Sequence, residues 1–200
     1  MLYLQIDDTI QRHESWVLRR QRNIPNNRGL LVVTCMDERI PIEQVLGINP
    51  GDAHIFRNAG GLITADTLRS AILTTNFFGT KEVVIVNHTE CGMMSASKED
   101  ILVHLENVHE SNPQALPIEP GLEELGAFPN KAAFATWFRM FEDVDEACLS
   151  QVELLKGHPF IPKDVAVNGY VYEVETGHLR RPLGRLAERV NSASQMRVGV

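Results

Sequence analysis

Two short apolar runs, Leu30-Leu31-Val32-Val33-Thr34 and Val83-Val84-Ile85-Val86, are each followed closely by metal-ligating and charged residues. Runs of this length, rich in branched side chains and without polar alternation, are the pattern of strands buried on both faces. Such strands belong to parallel sheets covered by helices on each side. A third run, Ala53-His54-Ile55-Phe56-Arg57, leads into Asn58-Ala59-Gly60-Gly61, where adjacent glycines permit backbone conformations and close approaches that other residues resist. A helix is predicted next, with Thr64 as N-cap, Asp66 in its first turn, Leu68 and Ile72 on one apolar face and Gly79 as its C-terminal stop. Residues 165–172 return to strand composition, and Glu175-Thr176-Gly177-His178 supplies a turn before Leu179. The order predicts an α/β fold: a central, mainly parallel β-sheet flanked by helices, with ligands collected at the carboxyl ends of the strands.

The flanks are less regular. Residues 1–22 place Ile6, Ile10, Val17 and Leu18 among charges at helical spacing, so an amphipathic N-terminal arm is expected to pack on the body or on a second subunit. Residues 94–162 are helical in pattern, interrupted by a Pro-rich loop at 112–120, and residues 183–200 read as a tail. A chain of 200 residues fits a single domain, 1–200. Nineteen basic against 26 acidic side chains give a net charge of -7 without like-charge blocks, so neither a nucleic-acid footprint nor a nucleic-acid partner is expected. There is no apolar stretch of membrane-spanning length, and the Met1-Leu2-Tyr3-Leu4 start lacks a secretory pattern. A cytoplasmic protein without a membrane partner is the expectation.

In a reducing compartment three cysteines favour thiols or metal ligation over disulfides. Cys148, in a helix-like run with no His or Cys beside it, is expected to be a core residue. Cys35 and Cys91 are different, because His88 stands three residues before Cys91 and Cys35 ends an earlier strand. Two Cys and one His leave the fourth position of a tetrahedral zinc open, as in a site that activates water. Asp37 and Arg39 complete the set: an Arg beside a carboxylate keeps it ionised and oriented, ready to accept a hydrogen bond from bound water. Released from Arg39, Asp37 would become a competing fourth ligand. A lone Cys or His near a strand end also serves packing, and Asp-x-Arg pairs also occur as surface ion pairs. A non-catalytic zinc or thiol-redox protein therefore remains a reading, although it gives Asp37 and Arg39 no task.

Cys35-x-Asp37-x-Arg39, His88-x-x-Cys91 and the intervening Arg57-Asn58-Ala59-Gly60-Gly61 resemble the motifs of the β-class carbonic anhydrase family. The resemblance implies an α/β dimer with sites near the subunit interface, one Zn2+ per subunit on Cys35, His88 and Cys91, and an Asp37–Arg39 dyad. Gly60 and Gly61 are expected to wall the site. Ile24-Pro25-Asn26-Asn27-Arg28, Thr74-Thr75-Asn76-Phe77-Phe78-Gly79 and His158-Pro159-Phe160-Ile161-Pro162 further resemble the carbon disulfide hydrolases within that family. That resemblance implies hydrolysis of carbon disulfide to hydrogen sulfide and carbon dioxide through carbonyl sulfide, with carbon dioxide hydration as the alternative. Both substrates are linear and apolar, so selectivity would come from access. Phe56, Phe77, Phe78, Met93 and Met94 are candidates to line a narrow apolar passage. Self-association as a dimer or larger homo-oligomer is expected.

Overall fold

The computed structural model describes residues 26–111, 117, 121, 123, 126, 127 and 130–184. The arm expected at 1–22 and all but the first two residues of the tail lie outside them. Strand β1 (Leu30–Cys35) is fully buried and pairs in parallel with β2 (Ala53–Asn58) on one side and β3 (Glu82–His88) on the other. Strand β4 (Ala166–Tyr172) is parallel to β3, and the short β5 (Leu179–Arg180) returns antiparallel to β4. The order is β2-β1-β3-β4-β5. Cys35 lies opposite Asn58, and His88 opposite Tyr172, so the carboxyl ends of four parallel strands meet at one edge of the sheet.

Successive side chains of a strand point to opposite faces, and two cores result. Leu31, Val33, Val83, Ile85 and Val167 pack with Ala71, Val152 and Leu155 on one face. Leu30, Val32, Val84 and Val86 pack with Ile40, Ile42 and Ile48 on the other. Helices α1 (Ile42–Leu46), α2 (Ala65–Phe77), α3 (Gly92–Ser95), α4 (Lys98–Ser111), α5 (Lys131–Phe138) and α6 (Val144–Gly157) complete the described fold. Among the described residues, no helix is long and apolar enough to cross a membrane.

Helix α2 begins as the sequence predicts: Thr64 caps it by accepting from the Thr67 N–H, Asp66 sits in its first turn, and Gly79 follows its end at φ 74°. Its buried stripe differs, for it is made of the small residues Thr67, Ala71, Thr74 and Thr75. Leu68 and Ile72 pack only partly against the core. Small side chains let the helix lie close to the sheet. On α6, Cys148 is fully buried, and the absence of a side chain at Gly169 makes room for it: a Cβ there would stand 2.7 Å from Cys148 Sγ. A glycine inside a strand marks such a close approach.

Candidate metal centre

Cys35 is the last residue of β1 and His88 the last of β3, one step earlier than a loop placement. Cys91 opens the turn into α3 and is its N-cap. Folding therefore brings together three side chains from two adjacent strand ends, and their ligating atoms lie within 4.8 Å of one another, all buried. Cys35 Sγ and Cys91 Sγ are 4.0 Å apart, close to the roughly 3.8 Å that two sulfurs subtend at a tetrahedral zinc with bonds of about 2.3 Å. Both nitrogens of the His88 ring are buried and have no hydrogen-bond partner. Buried polar atoms are nearly always paired, so an imidazole left in this state beside two thiols fits a ligand to a cation.

The surrounding backbone tunes the sulfurs. The Gly60 N–H donates to Cys35 Sγ at 3.3 Å, and Gly60 can do so because it turns at φ 82°. The Gly60 carbonyl accepts from Asn87 Nδ2 at 2.6 Å. Gly61 is required by space, since a Cβ would meet the backbone of Thr34 and Cys35 at 2.9 Å. The contact between the Cys35 and Cys91 sulfurs, in which either could donate, outweighs burial at Cys35. With help from the nearby His88 ring and the N–H groups of Asp37 and Gly60, it draws the Cys35 thiol well below the ordinary thiol range, while the same contact and burial push Cys91 upward.

Asp37 and Arg39 form a two-pronged ion pair at the rim. Arg39 Nε donates to Asp37 Oδ1 at 3.0 Å and Nη2 to Oδ2 at 2.9 Å, while the Arg39 N–H adds a third bond to Oδ1 at 2.9 Å. The Arg39 hydrogen bonds hold the Asp37 carboxyl down at about 2 despite partial burial. Asp37 Oδ2 stands 3.8 Å from His88 Nε2. Arg57 fixes the turn that carries this pair, donating to the carbonyls of Cys35, Asp37 and Ile40 at 3.0, 3.1 and 2.8 Å.

The apolar candidates divide. Met93 and Met94 pack against the core that contains Cys35 and Cys91, and a Cβ at Gly60 would meet Leu62, Met93 and Phe141 at 3.2 Å each. Leu62, Met93 and Phe141 therefore converge beside the centre. Phe56, Phe77 and Phe78 are not brought there within one chain. Phe56 packs on the opposite core, and Phe77 and Phe78 are 74% and 57% exposed where α2 ends, with Phe78 beside His54 of β2. Because α2 returns the chain to the start of β3, its end lies at the amino ends of the strands.

Sequence reasoning attached no task to Arg57, Asn87, Thr89, Glu90 or Phe141. Asn87, a polar residue closing an apolar strand, is the one with a readable signal. Thr89 donates to Glu175 Oε2 at 2.7 Å and accepts from the Val174 N–H at 3.0 Å, tying the metal loop to the β4–β5 turn.

The profile of the carbonic anhydrase family matches residues 30–179. A carbon disulfide hydrolase of Acidithiobacillus thiooxidans is 51% identical over 196 residues, covering 96% of each chain. A solved apo form of carbon disulfide hydrolase superposes with a TM-score of 0.72 at 46% identity, covering 94% of this chain and 95% of the other. A carbonic anhydrase of Streptococcus mutans superposes with a TM-score of 0.69 at 30% identity, covering 92% of this chain and 99% of the other.

Proposed function

Since the chain belongs to the carbonic anhydrase family, of the β class, we propose that it hydrolyses carbon disulfide, releasing hydrogen sulfide and forming carbon dioxide through carbonyl sulfide. The observation that carries this reading is 51% identity over 96% of both chains to a carbon disulfide hydrolase, against 30% to a carbonic anhydrase of the same fold. Two waters are consumed and two sulfides leave per carbon, each step forming one C–O bond and breaking one C–S bond.

In this reading Cys35, His88 and Cys91 hold one zinc ion per subunit, which supplies a water acidified enough to act as nucleophile near neutral pH. Asp37 presents an ionised carboxylate beside His88 Nε2 and accepts a hydrogen bond from the attacking oxygen, aiming its lone pair at carbon. A carboxyl held near 2 is a poor proton store at neutral pH. Its task is orientation, and the proton passes to solvent and departing sulfide. Arg39 keeps that carboxylate in place. Gly60 and Gly61 form the wall, and Leu62, Met93 and Phe141 offer an apolar side to a small apolar substrate; Met94 packs against the adjoining core. Carbonyl sulfide enters the same site as second substrate.

Among the described residues no strand pairs with the outer side of edge strand β2; Ile55 on it and Leu73 and Phe78 beside it are exposed, as is Phe77 at the end of α2. We assign this face to a second copy of the chain, giving a homo-oligomer that works in the cytoplasm as one domain per subunit. Phe77 and Phe78 then serve the contact and not a passage within their own subunit.

The test is sulfide release from carbon disulfide by the zinc-loaded protein beside a carbon dioxide hydration assay. Sulfide release well above hydration supports the proposal, and hydration without sulfide overturns it in favour of a carbonic anhydrase.

A further inference from the structure

Between His88 and Cys91 the backbone passes through a conformation that side chains disfavour: Glu90 has φ 52°, in the left-handed region where Gly, Asn and Asp are the usual occupants. Such strain persists where the surroundings over-determine it. Among the described residues, the hydrogen bonds that hold Glu90 both come from one residue. Its carboxylate Oε2 accepts from Arg39 Nη1 at 2.9 Å, and its backbone carbonyl accepts from Arg39 Nη2 at 3.1 Å. The other edge of the same guanidinium is occupied by Asp37 through Nε and Nη2. A planar donor fork held along both edges cannot pivot, whereas one held along a single edge can.

We propose that Glu90 is a positioning residue for Asp37: it clamps the outer edge of Arg39, and Arg39 so clamped keeps the Asp37 carboxylate turned away from the open position beside Cys35, His88 and Cys91. With Asp37 Oδ2 only 3.8 Å from His88 Nε2, a modest rotation of an unheld carboxylate would reach that position. The left-handed turn is what lets one residue offer both its carbonyl and its carboxylate to the same guanidinium. The proposal rests on the metal role of the three ligands and on no choice of substrate.

The Arg39–Glu90 pair is solvent-exposed, with side chains 43% and 59% accessible, and exposed pairs are worth little individually. The expected effect is therefore about two- to fivefold. The experiment is a thiocyanate titration of the cobalt-substituted full-length protein, followed by its visible absorption, with cobalt content measured for every variant. Glu90→Gln and Glu90→Gly should retain full cobalt and bind thiocyanate two- to fivefold more weakly, because Asp37 competes for the same position. Glu90→Gly keeps the left-handed backbone and its carbonyl, so it isolates the carboxylate. Glu90→Asp should recover part of the affinity. In an Asp37→Ala background the Glu90 substitutions should have no effect. Unchanged affinity in Glu90→Gln and Glu90→Gly, a loss that persists with Asp37→Ala, or loss of cobalt itself would overturn the proposal. Failure of sulfide release would bear on the substrate and leave this result standing.

Discussion

At the scale of single residues, the centre separates groups that hold a cation from groups that aim the chemistry. Asp37→Ala should leave zinc content at the wild-type level and lower turnover by about 100-fold, the size of effect found when one aligned hydrogen-bonding group is removed from an active site. Metal analysis beside a sulfide assay checks this, and loss of zinc would return Asp37 to a structural role. Cys148 offers a contrast among the three thiols. Burial, with the negative charge of Asp145 behind it, pushes its thiol up to about 12, so the nucleophilic thiolate amounts to about one molecule in ten thousand at pH 8. In the native zinc-loaded protein, mass spectrometry after iodoacetamide at pH 8 should find Cys148 unmodified; rapid labelling would contradict its burial. A raised thiol pKa means that reactivity grows only as pH climbs toward that value. The three ligand residues were legible in the sequence because each residue type is chemically distinctive, Cys35 and His88 close strands, and Cys91 follows His88 by three residues. Glu90 and Arg57 were not, since their tasks depend on contacts with Arg39 and with the carbonyls of 35–40, across intervals that only folding closes.

At the scale of elements, β1 and β3 were readable because burial on both faces leaves an unbroken apolar run, and α2 because Thr64, Asp66 and Gly79 mark its ends. The face that α2 buries was harder to read: the close approach of helix to sheet selects Ala71 and the threonines, leaving larger apolar residues outside. The same closeness is visible at Gly169. Gly169→Ala should destabilise the protein by about 1–3 kcal/mol, an overpacking cost, measurable by chemical denaturation; an unchanged midpoint would show that α6 has room to shift. Strand β5 is held by charge. Arg180 meets the buried Asp145 at 2.5 and 3.2 Å and Glu173 at 3.0 Å, and the Leu183 N–H also donates to Asp145. Removing one partner of a buried pair leaves a charge unpaired. Because Leu183 still serves Asp145 and Arg180 is partly exposed, Arg180→Ala should cost about 2 kcal/mol, less than the roughly 3–5 kcal/mol of a fully buried pair, with wild-type zinc content.

At the scale of the whole molecule, the parallel sheet makes the centre by bringing strand ends into register, and its β2 edge, unpaired among the described residues, with exposed Ile55, Leu73, Phe77 and Phe78, is the face proposed for a second copy. Light scattering should give at least twice the chain mass of 22.4 kDa, and Phe77→Glu with Phe78→Glu should shift the protein toward that single-chain mass. A monomeric wild type would remove the assigned interface. The central claim concerns the substrate, and identical zinc ligands can serve two of them. Hydrogen sulfide release from carbon disulfide, measured beside carbon dioxide hydration on one zinc-loaded preparation, separates them: the account predicts rapid sulfide release with little hydration, and rapid hydration without sulfide would contradict it.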